Sequence, residues 1–410
     1  MRNIAGSPVE GDNFYAREGD VARLREILAN DDILLLGPRR IGKTSIARAI
    51  MARVRSEGWR AIEINVASCQ DERGFLDKLD SGLRPELASL TDKAKAAMGD
   101  AFEAVGKRIK SMKVSIPGGG AVDLGLGGND AEDWTGVAND LLRMIAQTNE
   151  PWLIYVDELP ILLFNIIRAD AKSCVQRVRR FLDWFRNDVR AIPEARTVRW
   201  LVSGSVGLDT LVHQHGMADT INSMKHEGLE AFTDEVAVGM LGELAANYEI
   251  ALADDDARGI IAAVLWAQPY YLQLAFHHLR SLLTAAPVAK VGDLLPQAIE
   301  KMVLPGADND FHHWEQRLRI QLPNADADHC MALLRIAAQT AEGARADNLF
   351  AELQQRMPDV TADEAMRTFV NLRDILQRDA YWWPDETSGQ KRYRFRLEPL
   401  RLWWLRRNSL

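Results

Sequence analysis

Residues 31–50 read DDILLLGPRRIGKTSIARAI, and no other stretch of the chain restricts the fold so tightly. Ile33 to Leu36 is an apolar run of strand length. It leads straight into Gly37-Pro38-Arg39-Arg40-Ile41-Gly42-Lys43-Thr44, a G-x-x-x-x-G-K-[ST] pattern. The glycines let the backbone turn tightly, so that successive N–H groups point inward at phosphate oxygens. Lys43 adds a point charge at the β- and γ-phosphates, and the Thr44 hydroxyl is a ligand for Mg²⁺. Ser45 joins the candidate nucleotide contacts, and the helix that follows, through Arg55, aims the positive end of its dipole at the same phosphates.

Phosphate chemistry of this kind needs an acidic partner for the metal. Residues 152–160, WLIYVDELP, supply one. Trp152 to Val156 reads as a buried strand ending in Asp157-Glu158, where open α/β sheets place their ligands. Asp157 is expected to face Thr44 across the Mg²⁺ shell, and Glu158 to orient or deprotonate the attacking water. Trp59–Ala67 and Thr197–Ser203 read as two further strands; strands alternating with helices predict a parallel sheet. The last of these ends in Ser203-Gly204-Ser205, either a γ-phosphate sensor pair or a plain Ser/Gly turn. Arg39 and Arg40 flank the cradle and serve either to neutralise phosphate or to pair with an acid of the core.

Composition narrows the classes that remain. The chain has 410 residues, 47% hydrophobic and 26% charged, with a net charge of −8. That predicts two to three globular domains and excludes a uniformly basic DNA-coating protein. The longest apolar stretch, Trp152 to Ile167, is interrupted by Asp157 and Glu158, so no membrane span is expected. The N-terminus has no apolar signal core. Three dispersed cysteines (Cys69, Cys174 and Cys330) exclude a disulfide framework and fit a reducing cytoplasm. The adjacent pairs His277-His278 and His312-His313 project about 100° apart on a helix and are not expected to share a metal. Residues 112–129, MKVSIPGGGAVDLGLGGN, predict a small hairpin flap or a glycine-rich linker, not a second nucleotide loop.

From about Thr233 the apolar spacing becomes helical. Near the C-terminus, Asp326–Thr340, Ala346–Met357 and Thr361–Arg378 predict three helices, the last opened by a Thr361/Glu364 capping box. A strand–turn–strand follows, so the last 85 residues read as a winged helix-turn-helix. The final 20 residues carry seven cations (Lys391, Arg392, Arg394, Arg396, Arg401, Arg406 and Arg407) against the single acid Glu398. With Arg367 on the third helix, Lys391, Arg392, Arg394 and Arg396 are candidate contacts to DNA phosphates. A protein partner, or packing of a half-buried hairpin, accounts for the same pattern.

Several motifs together resemble one family. Asn13-Phe14-Tyr15-Ala16-Arg17-Glu18 resembles the h-x-x-R-E motif of the signal-transduction ATPases with numerous domains (STAND). GPRRIGKTS and the strand ending in Asp157-Glu158 resemble the same class, as do the Pro269-Tyr270 segment and the terminal YRFRLEPLRLWW. The nearest resemblance is to the archaeal-type P-loop ATPases of this AAA+-related group. It implies a core over 1–230, a helical lid over 231–324 and a winged helix over 325–410. It also places Phe14 and Arg17 beside the adenine and Pro269 near the nucleotide. Ala267 departs from the glycine usual before that proline, and no arginine follows Pro269 within a turn, which favours a switch over a ring-shaped motor. The expected function is an ATP-hydrolysing switch, with ATP and Mg²⁺ as cofactors and a nucleotide-dependent oligomer, DNA or an effector protein as partners. The alternatives are an initiator-like, ATP-dependent DNA-binding protein and a small-molecule kinase.

Overall fold

The computed structural model describes residues 1–89, 92–112, 134–169, 174–192, 196–204, 208, 211–212, 215–286, 288–304, 306, 309–386 and 389–407; for 92–101 and 309 it describes the backbone alone. The expected glycine-rich hairpin, save Met112, and Ser205 lie outside these residues.

Five strands form one sheet: β1 (Ile33–Leu36), β2 (Arg60–Asn65), β3 (Trp152–Asp157), β4 (Val198–Gly204) and β5 (Lys225–Gly228). They are ordered β2-β3-β4-β1-β5, and every neighbouring pair is parallel. Parallel pairing demands long crossovers, which the intervening helices provide. β1 and β3 are buried at every position, as strands covered on both faces must be. β4 is inserted between β1 and β3, the strand that ends in Asp157. Its register puts Ser203 level with Leu35 of β1, while Val202 pairs with Val156 of β3, one residue before Asp157. The sequence reading missed β5. Its residues, Lys-His-Glu-Gly, are mostly exposed, and a polar edge strand carries no hydrophobic period.

The chain divides into two compact units. One comprises Arg17–Gly37 and Lys43–Leu229 and contains the sheet. Its core closes on an aromatic cluster in which Trp134 stacks on Phe181, with ring centroids 5.2 Å apart, and Phe185 meets Trp200 edge-on at 5.1 Å. Such pairs each add about 0.5–1.5 kcal/mol beyond area burial.

The other unit comprises Met1–Ala16, Pro38–Gly42 and Glu230–Leu410. Helices Asp234–Asn247, Asp254–Val264, Pro269–Ala285, Val291–Met302 and Asn309–Gln321 are followed by Asn324–Ala338, Ala346–Arg356 and Ala362–Arg378. The last three surround a sheet of β6 (Ala344–Arg345), β7 (Trp382–Asp385) and β8 (Arg392–Phe395), ordered β6-β8-β7 and antiparallel, which is the winged helix-turn-helix arrangement. The Thr361/Glu364 capping box forms as its sequence dictates. Lid helices and winged helix share one apolar core running from Ala237 to Trp404. Tyr381 donates to the Trp314 carbonyl at 2.6 Å across this core, and Arg317 lies 3.6 Å from the fully buried Asp379. Among the described residues no single helix is long and apolar enough to cross a membrane.

Candidate functional site

In the sheet-bearing unit the glycine-bounded loop leaves β1 at Gly37 and re-enters at Lys43, the first residue of the helix Lys43–Ser56. That helix buries Ile46, Ala47, Ile50 and Val54 and packs over β2, β3 and β4. Lys43 is buried, and its Nζ donates to the Gly37 carbonyl at 2.9 Å. The cation thus curls back over its own loop. Gly42, at φ 107°, occupies backbone space that L side chains rarely adopt, so it is required by conformation and not by crowding.

Asp157 is the last residue of β3 and is buried. Its Oδ2 accepts from the Thr44 hydroxyl at 3.1 Å, and its Oδ1 accepts from the Ser203 hydroxyl at 2.5 Å. Since the Ser203 proton is committed to Asp157, the Tyr155 hydroxyl, 3.0 Å from Ser203 Oγ, is the donor in that contact. The result is one polar chain, Tyr155–Ser203–Asp157–Thr44, in which both carboxylate oxygens are satisfied. Burial, and then the Asp157 charge, push the Tyr155 phenol well above its ordinary range, so it remains a donor at any physiological pH. Ser203, read from sequence as either a phosphate sensor or a turn residue, is fully buried and orients the carboxylate. Tyr155 was missed, although it lies two residues from Asp157 and so on the same face of β3.

Glu158 follows immediately, half-buried, with φ at 63°. A non-glycine residue in this region costs on the order of 1 kcal/mol or more, and such strain concentrates at functional sites. The bend turns Glu158 out of the strand direction that Asp157 keeps. Gly204, at the end of β4, lets that segment press against the helix that follows; a Cβ there would lie 2.5 Å from Pro160 Cγ.

Thr44 and Asp157 present two hard oxygens 3.1 Å apart. Adjacent ligands of an octahedral Mg²⁺, each at about 2.1 Å, stand about 3 Å apart, so the pair fits one edge of such a shell. Among the described residues no group of three or more His, Cys, Asp or Glu side chains converges. The arrangement suits an ion that keeps waters and phosphate oxygens for its remaining positions.

Arg17 is buried and pairs with Asp20 at 2.9 Å; Ser45 is buried beside Lys43 in the first helical turn. In the other unit lie Phe14, half-buried, and the loop residues Pro38, Arg39, Arg40, Ile41 and Gly42. Tyr15 meets Phe232 edge-on at 6.3 Å. Pro269 is the first residue of its helix, where its missing N–H costs nothing. Gln273, four residues on, is buried and captures the N-terminal segment: its Oε1 accepts from the Ile4 N–H at 2.7 Å, and its carbonyl accepts from the Asn3 side chain at 3.1 Å. Arg40 pairs with Asp310 at 3.2 Å, so an acid of the fold engages it. No sequence signal points to Asp310, 270 residues away.

The C-terminal cations do not form one patch. Arg392 donates to the Gly343 carbonyl at 3.2 Å, and Arg396 sits half-buried over Trp266 at 5.2 Å. Arg401 is buried between Glu398 and the Ala338 carbonyl. Arg406 pairs with Glu300 at 3.2 Å and Arg407 with Glu315 at 2.6 Å. Lys391 is exposed and lies 3.7 Å from Glu386; Arg367 is exposed and Arg394 half-buried.

No protein-family model matches this sequence, and no curated protein does. Solved structures do. A Walker-type ATPase of Pyrococcus abyssi superposes with a TM-score of 0.62 at 14% identity, over 99% of this chain and 100% of that one. The ORC2 protein of Aeropyrum pernix, determined in ADPNP–ADP complexes, superposes with a TM-score of 0.56 at 14% identity, over 97% of this chain and 96% of that one. At this identity the likeness establishes the fold alone: the described residues share the architecture of these proteins, with a five-stranded parallel sheet.

Proposed function

We propose that the chain is an ATP-binding and ATP-hydrolysing switch. The observation that carries this reading is the oxygen pair of Thr44 and Asp157, 3.1 Å apart, in the unit where Lys43 caps Gly37. The loop Gly37–Ser45 holds the triphosphate through its N–H groups, and Lys43 places its charge at the β- and γ-oxygens. Thr44 and Asp157 hold Mg²⁺, which when bound neutralises charge building on those oxygens. Ser203 aims the Asp157 carboxylate, and Tyr155 holds Ser203. Glu158, turned out of β3 by its backbone, accepts a proton from water as the water oxygen bonds to the γ-phosphorus. The bond from that phosphorus to the bridging oxygen breaks, releasing ADP and phosphate. Phe14, Arg17 and Pro269 are assigned to the base side of the nucleotide on the family resemblance.

The three-part division at residues 230 and 325 is carried forward as a functional one, with the lid and winged helix responding together because they share a core. For DNA, the candidate face narrows to Arg367, Lys391 and Arg394; Arg392 and Arg396 are engaged within the fold. The direct test of the reading is phosphate release from ATP by the full chain. It is expected to require Mg²⁺ and to be lost in Asp157→Asn. Release that is equal in chelator, or unchanged in the variant, would remove the metal site.

A further inference from the structure

Residues 1–4 dock on the helix Pro269–Ala285, within one compact unit. Three hydrogen bonds hold them there. The Ile4 N–H donates to Gln273 Oε1 at 2.7 Å, the Asn3 side chain to the Gln273 carbonyl at 3.1 Å, and the Asn3 N–H to the Tyr248 hydroxyl at 3.1 Å. The receiving surface is a built one. Gln273, Phe276 and Arg280 share one face of the helix through their spacing of three and four. Tyr248, the C-cap of the helix Asp234–Asn247, packs beside them, its ring 6.2 Å from that of Phe276 and 4.1 Å from the Arg280 guanidinium carbon. Gln273 is 4% exposed, yet none of residues 1–4 is fully buried. A buried amide is therefore committed to a segment that lies at the surface. Ala5–Pro8, which lead away from that segment, are all exposed. Two of the three bonds draw on backbone N–H groups, which any residue but proline supplies, and the third on an asparagine amide. Hydrogen bonds of small net value, set against the ordering of four residues, leave the segment close to balance between bound and released.

We propose that this surface is a peptide-binding site and that residues 1–4 fill it as a displaceable strap. The ligand that replaces them is a short peptide of the same chemistry, with two successive backbone N–H donors and an asparagine at the first. The site lies within one unit of the fold and does not depend on the nucleotide assignment. Release of the strap frees the acceptors of Gln273 and Tyr248, and a peptide from another molecule satisfies them again.

The test is fluorescence anisotropy of a labelled, N-acetylated peptide of residues 1–8, MRNIAGSP, titrated with the full chain. A chain carrying Asn3→Ala with Ile4→Pro, whose own strap has lost two of its three bonds, should bind the peptide. Wild type should bind it at least about tenfold more weakly, because its intact strap competes for the site. Gln273→Leu, added to the strap variant, should abolish binding. A peptide carrying Ile4→Pro removes the same hydrogen bond from the other side, should also fail to bind, and serves if Gln273→Leu misfolds. Equal affinity of wild type and the strap variant would overturn the proposal. So would a strap variant that does not bind the peptide, or one that binds the Ile4→Pro peptide as well as the original.

Discussion

At the carboxyl ends of β1, β3 and β4, polar groups gather: Lys43 donates to Gly37, and Tyr155, Ser203, Asp157 and Thr44 form one hydrogen-bonded chain. At the C-terminal hairpin and helix, cations adjacent in sequence are drawn apart, each to a different carbonyl, carboxylate or ring. The first region concentrates residues more than 100 positions apart. The second disperses residues that are neighbours. A parallel sheet explains the convergence, because it aligns the ends of strands distant in sequence. A half-buried hairpin explains the dispersal, because alternate side chains leave on opposite faces. Charge that is dense along a chain is therefore weak evidence for a site, and charge that a sheet gathers is stronger evidence.

If the contrast holds, perturbing the convergent region should cost far more than perturbing the dispersed one. The largest effect is expected for Glu158→Gln, with turnover down at least about 100-fold and Mg²⁺–ATP affinity retained. Single-turnover phosphate release beside a binding isotherm separates the two. Ser203→Ala leaves the Tyr155 hydroxyl and one Asp157 oxygen without a partner, and should cost about 1–3 kcal/mol in urea unfolding. A cost indistinguishable from zero would mean that the polar chain does not orient Asp157.

His313, in the winged-helix unit, gives a pH probe. Burial, and then the charges of Arg40, Arg39 and Arg317, push its imidazole down to about 2, and neither ring nitrogen has a hydrogen-bond partner among the described residues. The folded pKa lies below the unfolded one, so the unfolded chain binds the extra proton between these values. Stability is full above the unfolded pKa and falls with pH below it, by about 2 kcal/mol at pH 5. His313→Gln should flatten that slope, and an unchanged slope would assign it to other groups. The smallest effects are expected at the dispersed cations. Arg406→Ala removes an exposed pair and should cost no more than about 1 kcal/mol. Lys391→Glu with Arg394→Glu should leave duplex-DNA retention little changed at moderate salt. A steep, salt-dependent loss would restore the basic hairpin as a nucleic-acid contact.

Much of this architecture was legible in the sequence. The β1–loop–helix unit, β3 ending in Asp157-Glu158, and the three C-terminal helices with their hairpin all follow from local period and turn chemistry. β5 was not legible, because an exposed edge strand of polar residues has no apolar alternation. At the candidate site, Lys43, Thr44 and Asp157 were readable from spacing. Their orienting partners were less so: Ser203 was read as a phosphate sensor or a plain turn residue, without its hydrogen bond to Asp157, and Tyr155 was passed over as one apolar position among five. Asp310 could not be found from local pattern, since it meets Arg40 only through the tertiary fold.

The central claim is that the loop Gly37–Ser45 is a nucleotide site. It is tested most directly by titrating Mg²⁺–ATP calorimetrically into wild type and Lys43→Ala. The account predicts one site per chain in wild type and, with the buried Lys43 cation removed, affinity weaker by about 100-fold or more in the variant. Equal affinity in the two proteins would contradict it.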